Sequence, residues 1–268
     1  MSRINSIFAD LRSQGRKALM PFLCAGYPRP GLLGDSLKAL EQAGASIVEI
    51  GIPFSDPIAD GPVIAAAMHD ALEAGLTPDA IFAEVAAARS AVNVGLVAMV
   101  SVSIVSRMSR QGLASVDGFV AKAQKAGFDG FIFPDAPVEE SGDLVAAARD
   151  HGMTASLLIA PTTSADRAGR IAQASSGFVY LLARTGITGE RDDAPDIAGR
   201  VEMLRQVTDL PIACGFGIST AAHVRAVVEH ADAAIVGSAL VRRMAPGSGP
   251  DPVGQAKAFT ESLAAGLQ

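Results

Sequence analysis

The chain has 268 residues, 49% of them hydrophobic and 19% charged, with a formal net charge of −6 and a pI near 5.2. That much apolar material excludes disorder and supplies a sizeable core. The acidic balance argues against nucleic acid, where binding is dominated by neutralised phosphates, and leaves small molecules or proteins as partners. No opening stretch has the basic-then-apolar layout of a signal peptide, and no uncharged run of about 18 residues could span a bilayer, so a cytoplasmic location is expected with no membrane contact. The two cysteines, Cys24 and Cys214, read as small buried hydrophobes. The four histidines, His69, His151, His223 and His230, show no ligand spacing, so no metal is expected; the last pair reads as one face of a surface helix.

In chain order, residues 2–14 form a short amphipathic helix, apolar at Ile4, Ile7, Phe8 and Leu11, that is expected to plug one end of the fold. Strands are then predicted at 18–24, 46–50, 94–100, 130–133, 154–159, 178–182, 211–214 and 233–236. Helices fall between them at 32–43, 63–74, 78–90, 116–126, 139–151, 164–174, 197–208 and 220–229, and the last is at 252–267. Short apolar strands that each lead into a helix imply a parallel sheet buried on both faces. Eight such repeats in a chain of this length favour one closed (β/α)8 barrel, an α/β fold with an extra N-terminal helix, over a doubly wound sheet. No low-complexity linker divides residues 1–268, so a single domain is expected; Gly247 to Pro250 marks a loop before the closing helix.

Residues 48–61, VEIGIPFSDPIADG, carry the densest chemistry. Gly51, Pro53 and Pro57 stop the second strand and force an irregular loop. Glu49 lies inside the apolar run, where a carboxyl is costly unless paired or kept neutral, and Asp60 returns at the far end of the loop. Two carboxyls in surroundings that separate their pKa values are what general acid/base chemistry needs. For a lone Glu and a lone Asp the commoner explanation is a backbone cap and a solvated turn. In a barrel the active site gathers at the C-terminal ends of the strands. Gly26 and Pro28, residues 49–60, Pro134 and Asp135, and residues 184–189 all fall there. After strands seven and eight, GFGIS (215–219) and GSA (237–239) place glycine beside a helix start, where free N–H groups and the helix dipole favour an anion. Either glycine motif alone is also an ordinary tight turn; together, at that pair of strands, they predict a phosphomonoester site. The stretch RTGITG and the charged residues after it, 184–193, form a long loop of the kind that is usually functional.

These segments resemble the tryptophan synthase alpha subunit family. Its signature reads apolar, Glu, apolar, Gly, any two, aromatic, Ser/Thr, Asp, Pro, apolar, small, Asp, Gly, and residues 48–61 meet every class. MPFLCAGYP (20–28), LIAPTTS (158–164) and VYLLARTGITG (179–189) extend the resemblance over nearly the whole chain. It implies a TIM barrel and a lyase of tryptophan biosynthesis that cleaves indole-3-glycerol phosphate to indole and glyceraldehyde 3-phosphate without metal or organic cofactor. It also implies an alpha2beta2 heterotetramer with a beta subunit. Carried over by position, Glu49 and Asp60 become the catalytic pair; Phe22, Tyr180 and Phe216 line the indole pocket. Thr188 then contacts the loop of the second acid, and Gly189, Gly217, Gly237 and Ser238 hold phosphate. Asp56, Pro57, Asp135 and Pro137 face the partner. In that reading Glu49 emerges from apolar surroundings with a raised pKa, and Asp60 stays ionised on a polar loop. One departure stands out: the family's Tyr and Asn near strand three are replaced by AMVSVSIV (98–105), so their hydrogen bonds are lost or supplied by Ser101 or Ser103. Two alternatives fit parts of the sequence: another phosphate-binding barrel of aromatic amino-acid or histidine synthesis, and a non-catalytic barrel kept to regulate a partner.

Overall fold

A computed structural model describes residues 2–57, 60–110, 115–183, 196–215 and 217–268. The chain opens with α1 (Arg3–Ser13), β1 (Ala18–Cys24), α2 (Leu33–Gln42), β2 (Ile47–Gly51), α3 (Pro62–Glu73), α4 (Pro78–Ala88) and β3 (Gly95–Met99). It continues with α5 (Val102–Met108), α6 (Val116–Ala126), β4 (Gly130–Ile132), α7 (Gly142–Asp150), β5 (Thr154–Ser156), β6 (Leu158–Ile159), α8 (Ala165–Ala174) and β7 (Val179–Leu182). The remaining elements are α9 (Ala198–Arg205), β8 (Ile212–Gly215), α10 (Ala221–Val228), β9 (Ala233–Val236), α11 (Ser238–Arg243) and α12 (Pro252–Ala264).

All the described strand pairs are parallel, in the order β5-β4-β3-β2-β1-β9-β8-β7-β6. The fifth strand expected from sequence is two pieces, one at each end of that order, joined through Leu157; the chain itself therefore closes the barrel. The break has a local cause. Just before β7, Ser175 Oγ accepts from Leu157 N at 3.2 Å and Ser176 Oγ accepts from Ala155 N at 2.9 Å. Serine hydroxyls thus replace ladder bonds until β7 takes up regular pairing with β6.

Period-two alternation divides each strand between two cores. Leu19, Leu23, Val48, Ile50, Leu96 and Ala98 point outward to the helices. Ala18, Met20, Ile47, Val97, Tyr180 and Ile235 point inward and meet Ile4, Phe8 and Leu11 of α1. α1 therefore does plug the barrel, with the Phe8 and Phe178 rings 5.9 Å apart. Its position is fixed at the same end by Arg3, which lies 3.4 Å from Asp129; that carboxylate also takes Arg89 at 3.2 Å and Leu96 N at 2.9 Å. The polar network seals the N-terminal end and leaves the opposite mouth for chemistry.

Candidate active site

Glu49 is the middle residue of β2, so the alternation that sends Val48 and Ile50 out to the helices turns its carboxyl into the barrel. Its register partners are Phe22 on β1 and Val97 on β3. It is 1% exposed, and Oε2 has no hydrogen-bond partner among the described residues. Burial, with a smaller contribution from the charge of Asp60, pushes its pKa up to about 8. The raised value follows from the barrel interior, since the sequence neighbours Val48 and Ile50 face the other way.

Asp60 closes the loop just before α3, where its N–H donates to Pro57 O at 3.0 Å. The expected polar setting is only partly found. Asp60 is half-buried, and desolvation raises its pKa to about 6, so it is still ionised at neutral pH, though less firmly than a solvated aspartate. Tyr180 points inward from β7 at 6% exposure, and its hydroxyl is held well above its ordinary pKa by burial first and then by the charges of Glu49 and Asp60. The three groups share one electrostatic environment. Phe22 is 3% exposed and packs over Gly51, where an added Cβ would lie 2.5 Å from the ring; only glycine fits there.

Beside Asp60 a cavity of about 240 Å³ is lined by Phe54, Met68, Met99, Ser101 and Asp135, among others. Of the two serines expected to stand in for the missing polar groups, Ser101 is engaged. Its hydroxyl donates to Asp135 Oδ2 at 2.6 Å and accepts from Ser103 N at 3.1 Å, while Asp135 Oδ1 accepts from Val102 N at 3.0 Å. Ser101 thus caps α5 and fixes Asp135, and Met99 gives the mouth an apolar wall. Phe54, Met68 and Met99 were not legible as site residues, because apolar positions at helix and strand spacing read as core.

At the other side of the mouth Gly217 has φ +79°, and Gly237 caps α11 with φ −106° and ψ −92°. Ser238, the first residue of α11, is 7% exposed, and its hydroxyl has no partner among the described residues. Gly237 adjoins Phe22 and Ile64, so the end of β9 abuts the pocket wall. Asp56, Asp135 and Pro137 are exposed and Pro57 half-buried, all at the C-terminal rim. Thr188, Gly189, Phe216 and the loop 184–193 lie outside the described residues. Cys24 and Cys214 are free and buried, as expected. His223 is buried and His230 exposed, so they do not share the surface face expected for them.

A family profile described as tryptophan synthase alpha chain matches residues 8–264. The chain belongs to the tryptophan synthase alpha chain family. It is 39% identical to the tryptophan synthase alpha chain of Acaryochloris marina, covering 100% of this chain and 98% of that one. Against that of Synechococcus sp. the identity is 42%, with 96% and 94% covered. Among solved structures, tryptophan synthase from M. tuberculosis in space group F222 superposes with a TM-score of 0.88 at 33% identity, covering 99% and 98%. The alpha subunit from Legionella pneumophila gives 0.87 at 31% identity, covering 100% and 98%. The chain is accordingly a lyase of tryptophan biosynthesis, and its reaction is cleavage of indole-3-glycerol phosphate to indole and glyceraldehyde 3-phosphate. As an alpha chain it is of the kind that associates with a beta subunit. Among the described residues no helix is long and apolar enough to cross a membrane, and no cluster of three or more His, Cys, Asp or Glu could hold a metal.

Proposed function

We propose that Glu49 is the general acid/base of this tryptophan synthase alpha chain and that Asp60 stabilises the indole N–H. The carbon–carbon bond of the substrate breaks only after indole C3 is protonated, because the ring then becomes an iminium-like electron sink. Glu49, still protonated near neutral pH, delivers that proton. The bond electrons move to the ring nitrogen as the bond breaks, and the side-chain hydroxyl, now becoming the aldehyde, returns a proton to Glu49. The carboxyl ends as it began. Asp60, ionised, meets the positive charge that grows on the nitrogen. The step uses no metal or organic cofactor. The observation that carries this reading is a buried carboxyl turned into the barrel, with a raised pKa and an oxygen that has no partner among the described residues.

Backbone amides around Gly217, Gly237 and Ser238, with Gly189, form the proposed phosphate site; the Ser238 hydroxyl at a helix start, without a partner among the described residues, supports it. Phe22, Tyr180 and Phe216 hold the indole ring, and Thr188 meets the loop of Asp60. Residues 1–268 act as one cytoplasmic domain. Asp56, Pro57, Asp135 and Pro137 meet the beta subunit in an alpha2beta2 assembly, a reading supported by their place on the rim of the mouth.

The test is cleavage by wild type, Glu49→Gln and Asp60→Asn, with substrate affinity measured separately. Glu49→Gln should lose roughly a hundredfold to ten-thousandfold in turnover, the range for a missing general acid/base. Asp60→Asn should lose rate severely while still binding substrate. Near-wild-type turnover in either variant overturns the role given to that residue.

A further inference from the structure

The loop after β8 enters α10 through Thr220, whose Oγ1 accepts from His223 N at 3.2 Å. His223 also makes a second bond. Its ring, 6% exposed, turns back toward the loop, and Nδ1 accepts from Ser219 N at 3.4 Å. In a capping box the residue three positions after the cap bonds back to the cap's own amide, and it is ordinarily Glu or Gln. Here an imidazole stands at that position and reaches one residue further back, to the Ser219 amide, and Nδ1 can accept there only if it carries no proton. The other side-chain-capped helices with the same spacing place Asn5, Ala80, Gly118, Arg167 and Gly254 opposite their caps. Among the described residues none of these turns back onto its loop; Arg167 reaches Glu139 instead.

We propose that His223 is a positioning residue for the phosphate end of the substrate. It ties up the Ser219 amide and so holds the backbone from Gly217, at φ +79°, through Ser219 in place, with the neighbouring amides left for an anion. The inference rests on the phosphate site proposed above. A packing role alone would be met by any side chain of similar size, whereas this role needs a neutral acceptor.

The experiment compares steady-state cleavage and competitive inhibition by inorganic phosphate in wild type, His223→Gln and His223→Leu. His223→Gln should behave as wild type. His223→Leu should raise KM and the phosphate inhibition constant together by about threefold to thirtyfold, the span of a lost helix-cap bond, with kcat held. Should His223→Leu fail to fold, Thr220→Ala removes the cap bond that holds His223 N in place and should show the same split. Wild-type KM in His223→Leu and Thr220→Ala, or equal damage in His223→Gln and His223→Leu, overturns the proposal. If wild type ignores phosphate and cleaves the dephosphorylated substrate with unchanged KM, the phosphate site itself is wrong, and the role of His223 falls with it.

Discussion

At the residue scale the two carboxyls differ because their surroundings differ. Glu49 sits in the barrel interior and keeps its proton to about pH 8; Asp60 is half-buried and loses its proton above about pH 6. The proposed mechanism needs the first protonated and the second ionised, so kcat/KM should be bell-shaped with its plateau between about pH 6 and 8, the pair titrating together. A rate still rising above pH 9, roughly a unit past the upper limb, would contradict the assignment of Glu49 as the acid. Stability carries the same signature. A carboxyl whose pKa rises on folding, here from 4.5 to about 8, gives a contribution to stability that is whole below the lower value and lost as pH passes through the upper one. Glu49→Gln cannot ionise. Its denaturation midpoint should therefore gain on wild type steadily between those two values, by a few kcal/mol at most; a constant difference across that window would show that Glu49 is already ionised in the folded chain.

Elements place those residues, and most of the elements were legible. The alternation of short apolar strands with helices identified the barrel, and the plugging role of residues 2–14 followed from the spacing of Ile4, Phe8 and Leu11. Phe8 is 5% exposed against Phe178, so Phe8→Ala should destabilise the chain by about 3 to 5 kcal/mol in urea titration. A loss under about 1 kcal/mol would mean that the plug carries no packing load. What could not be read has physical reasons. α5 and α11, at 7 and 6 residues, are too short for a helical period to emerge from apolar loops. The split at Leu157 depends on Ser175 and Ser176, which lie near it only after the barrel closes. The carboxyl pair was visible because a glutamate inside an apolar strand is costly. The partial burial of Asp60, by contrast, comes from tertiary surroundings. The mouth-lining Phe54, Met68 and Met99 carry no polar mark to set them apart from the core, and the inward turn of His223 depends on a backbone amide four residues back.

At the scale of the whole molecule, the barrel keeps its rigid network around Asp129 at one end and its site at the other. The Asp60 loop and the Ser101–Asp135 contact share the mouth cavity with Asp56 and Pro57. On the interface proposed above, a beta subunit seated on that rim would bear on the loop that carries the second acid, so adding it should raise the cleavage rate, and charge reversal at Asp56 should weaken the effect. An unchanged rate on saturation with the partner would separate the rim from the chemistry. The central claim is that Glu49 itself moves the proton. It is tested most directly by cleaving indole-3-glycerol phosphate in deuterium oxide and following deuterium at indole C3 by proton NMR. Wild type should place one deuterium at C3 on every turnover, and Glu49→Gln should form deuterated indole roughly a hundredfold to ten-thousandfold more slowly. Deuterated indole appearing from Glu49→Gln at the wild-type rate would assign the proton to another group.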